Sequence, residues 1–325
     1  MKALSVYKKY GMYILLIIEC IIFAVIAPKF LTVNNLFNVL RQVSMLGIAS
    51  CGLTFVILSG GMDLSIGSQI ALIGLLGGLM MTKLGMPVGV TVILMFLMGT
   101  MTGALIGFLS VKLKIASMIV TLAAMTSLTG VAQIITNGYP VYGFSESFSY
   151  IGQGYIAGVI PIPVVVFVIV ILAAWFILQK TYFGRYVYAL GSNQEAARLA
   201  GININRMRVA IFAICGFFAS IACVLMTARA NSAQPTAAEN YAFDTMTAVV
   251  LGGVSVQGGR GKVGGAVAGV VFIGILNNAL VLLGINEYYK EVFKGIILLV
   301  AVALDAVEIK TKRNVIAVDD GKQEA

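Results

Sequence analysis

The stretch "VGVTVILMFLMGTMTGALIGFLSV", residues 88–111, contains no Asp, Glu, Lys or Arg. An apolar run of more than about 18 residues is typical of a helix that crosses a membrane. Further uncharged runs occupy residues 115–136, 161–178, 209–228 and 263–285. Only 11% of the 325 residues are charged, whereas an average soluble domain has about 25%. The sequence therefore predicts an all-α, polytopic membrane protein that folds as a single transmembrane domain over residues 1–325.

The apolar segments predict about ten transmembrane helices, at about 20 residues for each crossing. The predicted spans are 12–28, 43–59, 66–82, 88–110, 117–136, 161–178, 208–229, 243–256, 263–284 and 292–308. Residues 137–161 contain no Lys or Arg, but residues 179–208 contain Lys180 and four arginines. By the positive-inside rule, the first segment lies outside and the second is a cytoplasmic loop. The same rule predicts that both termini are cytoplasmic, the second within a polar tail at 309–325.

Two glycine-rich stretches interrupt this pattern and resemble each other. "VILSGGMDLSIG" (56–67) and "VVLGGVSVQGG" (249–259) each place a glycine pair after an apolar run. The expected helix breaks are Gly60, Gly61, Gly252 and Gly253. Paired, glycine-interrupted segments in the two halves of a chain are typical of a transporter built from internal repeats. The alternative is two helices that are merely rich in glycine, and the pattern does not distinguish parallel from inverted repeats.

Composition excludes several classes of function. The chain has no histidine, and its four cysteines lie within apolar runs without metal-ligand spacing, so we expect no metal and no cofactor. The net charge of +9 comes from basic residues at the ends of apolar runs rather than from a nucleic-acid-binding face. "GRGKVG" (259–264) fits a dinucleotide fingerprint but joins two predicted helices instead of following a strand. No P-loop is present, so an ATP-driven process would need a separate ATPase.

The polar stretch "LGSNQEAARLAGI", residues 190–202, stands out in the predicted cytoplasmic loop 179–208. Ser192 and Glu195 have the S-x-x-E spacing of a capping box, and Gly201 has the position of a left-handed C-terminal residue. The stretch therefore predicts a helix of about two turns. An isolated helix this short is marginal in water, so it packs either on its own bundle or on a cytoplasmic partner.

The chain resembles the permease subunits of bacterial sugar ABC importers, most closely those of the ribose type. The matching blocks include "NLFNVLRQVSMLGIASCGLTFVILSGGMDLSIGS" (35–68), "FGRYVYALGSNQEAARLAGIN" (183–203), "SAQPTA" (232–237) and "AVVLGGVSVQGGRGKVGG" (248–265). The resemblance implies that "EAARLAG" couples the permease to an ATPase subunit. The residues that would carry that role are Ser192, Glu195, Ala196, Ala197 and Gly201. It also implies an extracytoplasmic sugar-binding protein and a second permease, either another copy of this chain or a homologue.

Polar residues within or beside the predicted spans are candidates for a translocation path. Asp63 is the only charged residue between Arg41 and Lys83, and an ionisable group inside a membrane is a functional candidate because its burial is costly. Alternatively, Asp63 and Ser65 cap the helix that follows. The remaining candidates are Gln133, Asn137, Gln234, Asn277 and Asn278. Their amides suit the hydroxyl groups of a neutral sugar.

Two other classes of function were weighed against an ABC permease. A secondary sugar transporter driven by an ion gradient would need acidic residues inside the membrane, and only Glu19, Asp63 and Asp244 qualify. That class gives no role to residues 192–201. A membrane enzyme would need an acid–base set, which a chain without histidine or clustered carboxylates does not provide.

Overall fold

The computed structural model describes residues 2–303 and Asp305. The predicted tail 309–325 and the end of the predicted span 292–308 lie outside the described residues. The helices are α1 Lys2–Ile26, α2 Val33–Leu58, α3 Ile66–Thr82, α4 Val88–Leu113, α5 Ser117–Thr136, α6 Glu146–Gln153, α7 Ile162–Lys180, α8 Tyr182–Ser192, α9 Gln194–Leu199, α10 Ile204–Ala230, α11 Tyr241–Leu251, α12 Val263–Leu282 and α13 287–303. Two pairs of two-residue strands, β1 Val141–Tyr142 with β4 Ser232–Ala233 and β2 Tyr155–Ile156 with β3 Ile160–Pro161, complete the described fold.

Within the described part of the chain, six helices are long and apolar enough to cross a membrane, namely α2, α4, α5, α7, α10 and α12. Residues 11–26, α3 and α11 are shorter apolar helices. The predicted span 43–59 began too late, because α2 begins at Val33 and contains Arg41. The Arg41 guanidinium donates to the Gln153 carbonyl (3.2 Å) and lies over the Tyr155 ring. The predicted span 243–256 was too long, since α11 ends at Leu251.

α2 and α10 form the centre of the bundle and are the most buried of the six long helices. Gly52 of α2 lies against Cys215 and Phe218 of α10. Gln153 of α6 accepts from Arg41 near the start of α2 and donates to the carbonyl of Arg229 at the end of α10. The two helices therefore run antiparallel.

The close approach of α4 to α10 depends on small residues. A Cβ at Gly99 or Gly103 would overlap the backbone carbonyls of Gly216 and Phe212, respectively. Small residues at helix contacts allow the close backbone packing on which helix association in lipid depends. The spacing of Gly99, Gly103 and Gly107 thus serves packing inside the described chain.

The neighbours of α2 and α10 show that the two halves are inverted repeats. α4 packs on α10 as α12 packs on α2, and α3 contacts α10 as α11 contacts α2. Because α2 and α10 are antiparallel, the half that contains α2–α5 and the half that begins at α10 have opposite directions. The breaks that correspond in this arrangement are residues 59–65 and 231–240. The glycine-rich stretches matched in the sequence are therefore not equivalent positions of the repeat.

Candidate functional site

The segment 190–202 forms the end of α8, the short helix α9 and the turn that follows. Asn193 rather than Ser192 caps α9, because its Oδ1 accepts from the Ala196 N–H at 3.0 Å. The predicted capping box is thus wrong, and Glu195 instead forms an ion pair with Arg198 at 2.7 Å. α9 has six residues, fewer than two turns, and Gly201 after it has a left-handed φ of 83°.

α9 presents an apolar strip to the outside of the chain. Ala196, Leu199 and Ala200 are exposed, and Leu199 is 85% accessible. Ala197 alone faces inward and is buried. The described part of the chain therefore leaves this strip uncovered. We call the end of the bundle that carries this helix the α9 end, and the opposite end, which carries α6, the α6 end.

The break between α2 and α3 encloses Asp63. α2 ends at Leu58, and Gly60 adopts a left-handed φ of 78°. Asp63 is 1% exposed, and its Oδ1 accepts from the backbone N–H (2.8 Å) and the hydroxyl of Ser65. Gln69 lies next to it and donates to Ser65 Oγ at 2.9 Å. Asp63 and Ser65 therefore stabilise the start of α3 through hydrogen bonds within the chain.

The N-termini of α3 and α11 meet inside the bundle. A Cβ at Gly67 would overlap the carbonyl oxygen of Ala238, and the Tyr241 side chain lies beside it. Both helices begin far from the ends of the long helices around them, as discontinuous helices in transporters do. Their free N–H groups give this region a partial positive charge.

A cavity of about 300 Å³ adjoins this meeting point, between α3, α5 and the 231–240 break. Its polar lining consists of Ser68, Thr126, Thr129, Gln133, Thr236 and Glu239. The hydroxyls of Ser68 and Thr126 donate to backbone carbonyls. The side chains of Gln133, Thr236 and Glu239 make no hydrogen bond to the described part of the chain, so they are free to contact a ligand. Sequence reasoning missed Thr236 and Glu239. Thr236 lies within the matching block at 232–237 and Glu239 follows it, but neither residue belongs to a predicted span.

The other four path candidates lie in four different environments. Gln234 lines a separate cavity of about 410 Å³ with Thr227 and Arg229, and Asn137 is exposed at the end of α5. The Oδ1 atom of Asn277 is buried without a hydrogen-bond partner among the described residues. Asn278 exchanges two hydrogen bonds of 2.9 Å with Asn35 of α2. This amide pair joins α12 to α2, so Asn278 is occupied by a structural contact.

The acidic groups inside the bundle are held in different ways. Asp244 of α11 forms an ion pair with Lys294 of α13 at 3.0 Å, and both side chains are buried. Lys294 also bonds to Glu291 at 2.9 Å. The carboxylate oxygens of Glu19 are buried and have no partner among the described residues. The pairing of Asp244 with a lysine 50 positions away gave no local signal in the sequence.

The sequence matches, over residues 35–302, the family described as the permease component of the branched-chain amino acid transport system. The chain belongs to this permease family. The ribose import permease RbsC of Haemophilus influenzae is 43% identical over 90% of this chain and 91% of its own length. The ribose import permease RbsC of Bacillus subtilis is 42% identical over 93% and 94%, respectively.

A third relative, the L-arabinose transport system permease AraH of Escherichia coli, is 36% identical over 95% of this chain and 94% of its own length. No solved structure gives a significant match. Membership in the family, together with the six long apolar helices, identifies the chain as a multi-pass inner-membrane permease of the ABC class.

Proposed function

We propose that the chain is the membrane-spanning permease subunit of an ATP-driven importer for a monosaccharide, ribose or a related sugar. The observation that carries the proposal is the near full-length similarity to ribose and arabinose permeases, combined with an exposed apolar strip on α9. Transport proceeds by alternating access, and a separate ATPase subunit supplies the energy. The other expected partners are a sugar-binding protein outside the membrane and a second permease, a copy or a homologue.

In this proposal the α9 end is cytoplasmic and the α6 end faces outward. Six long apolar helices, three shorter ones and α13 would supply about ten crossings. The coupling loop is 179–208, in which Glu195, Ala196 and Leu199 contact the ATPase. The exposure of Leu199 supports this assignment, since the rest of the described chain does not cover it.

The proposed path passes through the cavity beside the N-termini of α3 and α11. Gln133, Thr236 and Glu239 there offer amide, hydroxyl and carboxylate groups to the hydroxyls of a sugar. Gln234 and Asn137 lie towards the α6 end of the path. Asp63, Ser65 and Asn278 support the helices around it through the hydrogen bonds they make within the chain.

The experiment purifies the chain from its native membrane in mild detergent and identifies the subunits that co-purify. We expect a stoichiometric ATPase, and uptake of ribose into proteoliposomes that requires ATP. Leu199→Asp should abolish co-purification of the ATPase, and Leu199→Met, which keeps the apolar contact, should preserve it. Uptake driven by a proton or sodium gradient without ATP would instead establish the ion-driven alternative.

A further inference from the structure

Three backbone segments meet at the α9 end of the bundle. They are the end of α2, the end of α8 and the loop 252–262 that joins α11 to α12. The Gly259 N–H donates to the Leu58 carbonyl at 2.8 Å, and the Tyr188 hydroxyl of α8 donates to the Gly261 carbonyl at 2.9 Å. We call the four glycines at this contact, Gly60, Gly191, Gly258 and Gly259, the glycine junction.

No side chain separates the backbones within the glycine junction. A Cβ at Gly191 would overlap the Leu58 carbonyl oxygen and lie 2.5 Å from the Gly259 nitrogen. A Cβ at Gly258 would lie 2.7 Å from the Gly60 nitrogen. Closely packed interiors transmit displacements, and backbone against backbone leaves no flexible side chain to absorb them. A shift of α8 therefore displaces both of its neighbours.

The loop 252–262 is held as a compact unit. Ser255 N–H donates to the Arg260 carbonyl at 3.0 Å. Asp305, which is also helical, accepts from the Ser255 hydroxyl at 3.0 Å and from the Val256 N–H at 3.2 Å. These bonds connect the loop to the last helix as well as to α8. When the loop moves, the end of α11 and the start of α12 therefore move with it, because these bonds prevent the loop from rearranging on its own.

We propose that the glycine junction passes the movement of α8 and α9 to both discontinuous parts of the bundle at once. Through Gly60 the movement reaches the break at 59–65 and α3. Through the loop 252–262 it reaches α11. Only Asn193 separates α8 from α9, so a movement of α9 reaches Gly191 within one turn. Gly191 is the central positioning residue, because it touches both neighbours. The inference rests on the proposed function, in which an ATPase moves α9.

The test uses the complete complex of permease, ATPase and binding protein in proteoliposomes. It measures the number of sugar molecules transported for each ATP hydrolysed. For Gly191→Ala we expect at least a tenfold fall in this ratio, while the subunits still assemble and ATP is still hydrolysed. The matched control is Gly264→Ala at the start of α12, where an added Cβ meets nothing within 4 Å; it should keep the wild-type ratio.

Tyr188→Phe provides a gentler variant in case Gly191→Ala fails to assemble. It removes only the hydroxyl that bonds to the Gly261 carbonyl, and we expect a two- to fivefold fall in the ratio. Tyr186→Phe on the same helix is its control. A wild-type ratio in Tyr188→Phe and in any assembled Gly191→Ala complex would overturn the inference. Absence of ATP-dependent uptake in the wild-type complex would overturn the proposed function instead.

Discussion

The breaks at 59–65 and 231–240 occupy corresponding positions in the two inverted halves, yet they differ in the state of their polar groups. In the first break, Asp63 and Ser65 are buried and bond to each other. In the second, Gln234, Thr236 and Glu239 are exposed, and each lines a cavity. The polar side chains of the first break thus form hydrogen bonds within the chain, whereas those of the second break are available to a ligand.

The two breaks occupy corresponding positions but satisfy their polar backbone in different ways. Irregular backbone at membrane depth is tolerated where it is buried in protein or lines a water-filled cavity. Asp63 and Ser65 of the first break are buried in protein, and polar residues of the second break line cavities. The helix after the second break needs another anchor, and the ion pair between Asp244 and Lys294 supplies it.

The largest expected effect comes from removing that anchor. Lys294→Met leaves Asp244 buried without its cation, and breaking one partner of a buried ion pair costs about 3–5 kcal/mol. We expect a large fall in the thermal stability of the detergent-purified chain. The double variant Asp244→Asn/Lys294→Met should recover most of the loss, because no buried charge is then left alone. Equal losses in the single and double variants would contradict an anchoring role for the pair.

A smaller effect is expected at the first break. Asp63→Ala removes the acceptor for the Ser65 N–H and hydroxyl, and an unsatisfied buried group costs about 1–3 kcal/mol. Asp63→Asn retains an acceptor oxygen and should therefore lose less stability than Asp63→Ala. In both variants, uptake should fall in proportion to the amount of folded chain, measured by size-exclusion chromatography. Loss of uptake in Asp63→Asn at a normal amount of folded chain would place Asp63 on the path.

The smallest effect on stability and the most specific effect on transport are expected at the second break. Thr236→Val keeps the shape of the side chain and removes one free hydroxyl in the cavity. One lost hydrogen bond of about 1 kcal/mol corresponds to a severalfold fall in uptake, with the amount of folded chain unchanged. Thr136→Val is the control, since this hydroxyl bonds to the Ala132 carbonyl and lines no described cavity. An identical response of the two variants would remove Thr236 from the path.

Local patterns predicted much of the fold. Uncharged runs located the apolar helices, and Gly60 and Gly253 have the left-handed backbone that makes glycine informative at a break. The cap of α9 was misassigned because Ser192 and Asn193 are adjacent and both are good capping residues. The contacts of Arg41 gave no local signal, because its partners, the Gln153 carbonyl and the Tyr155 ring, lie more than a hundred positions away.

Hydropathy and local backbone preference were enough to predict that the chain crosses a membrane, that a break follows α2 at Gly60 and that residues 190–202 form a short polar segment. The tertiary structure alone decided that the repeats are inverted, that Asn35 pairs with Asn278 and Asp244 with Lys294, and that Gly60, Gly191 and Gly258 meet. Those contacts join residues distant in the chain. They depend on how the helices pack, which no local pattern specifies.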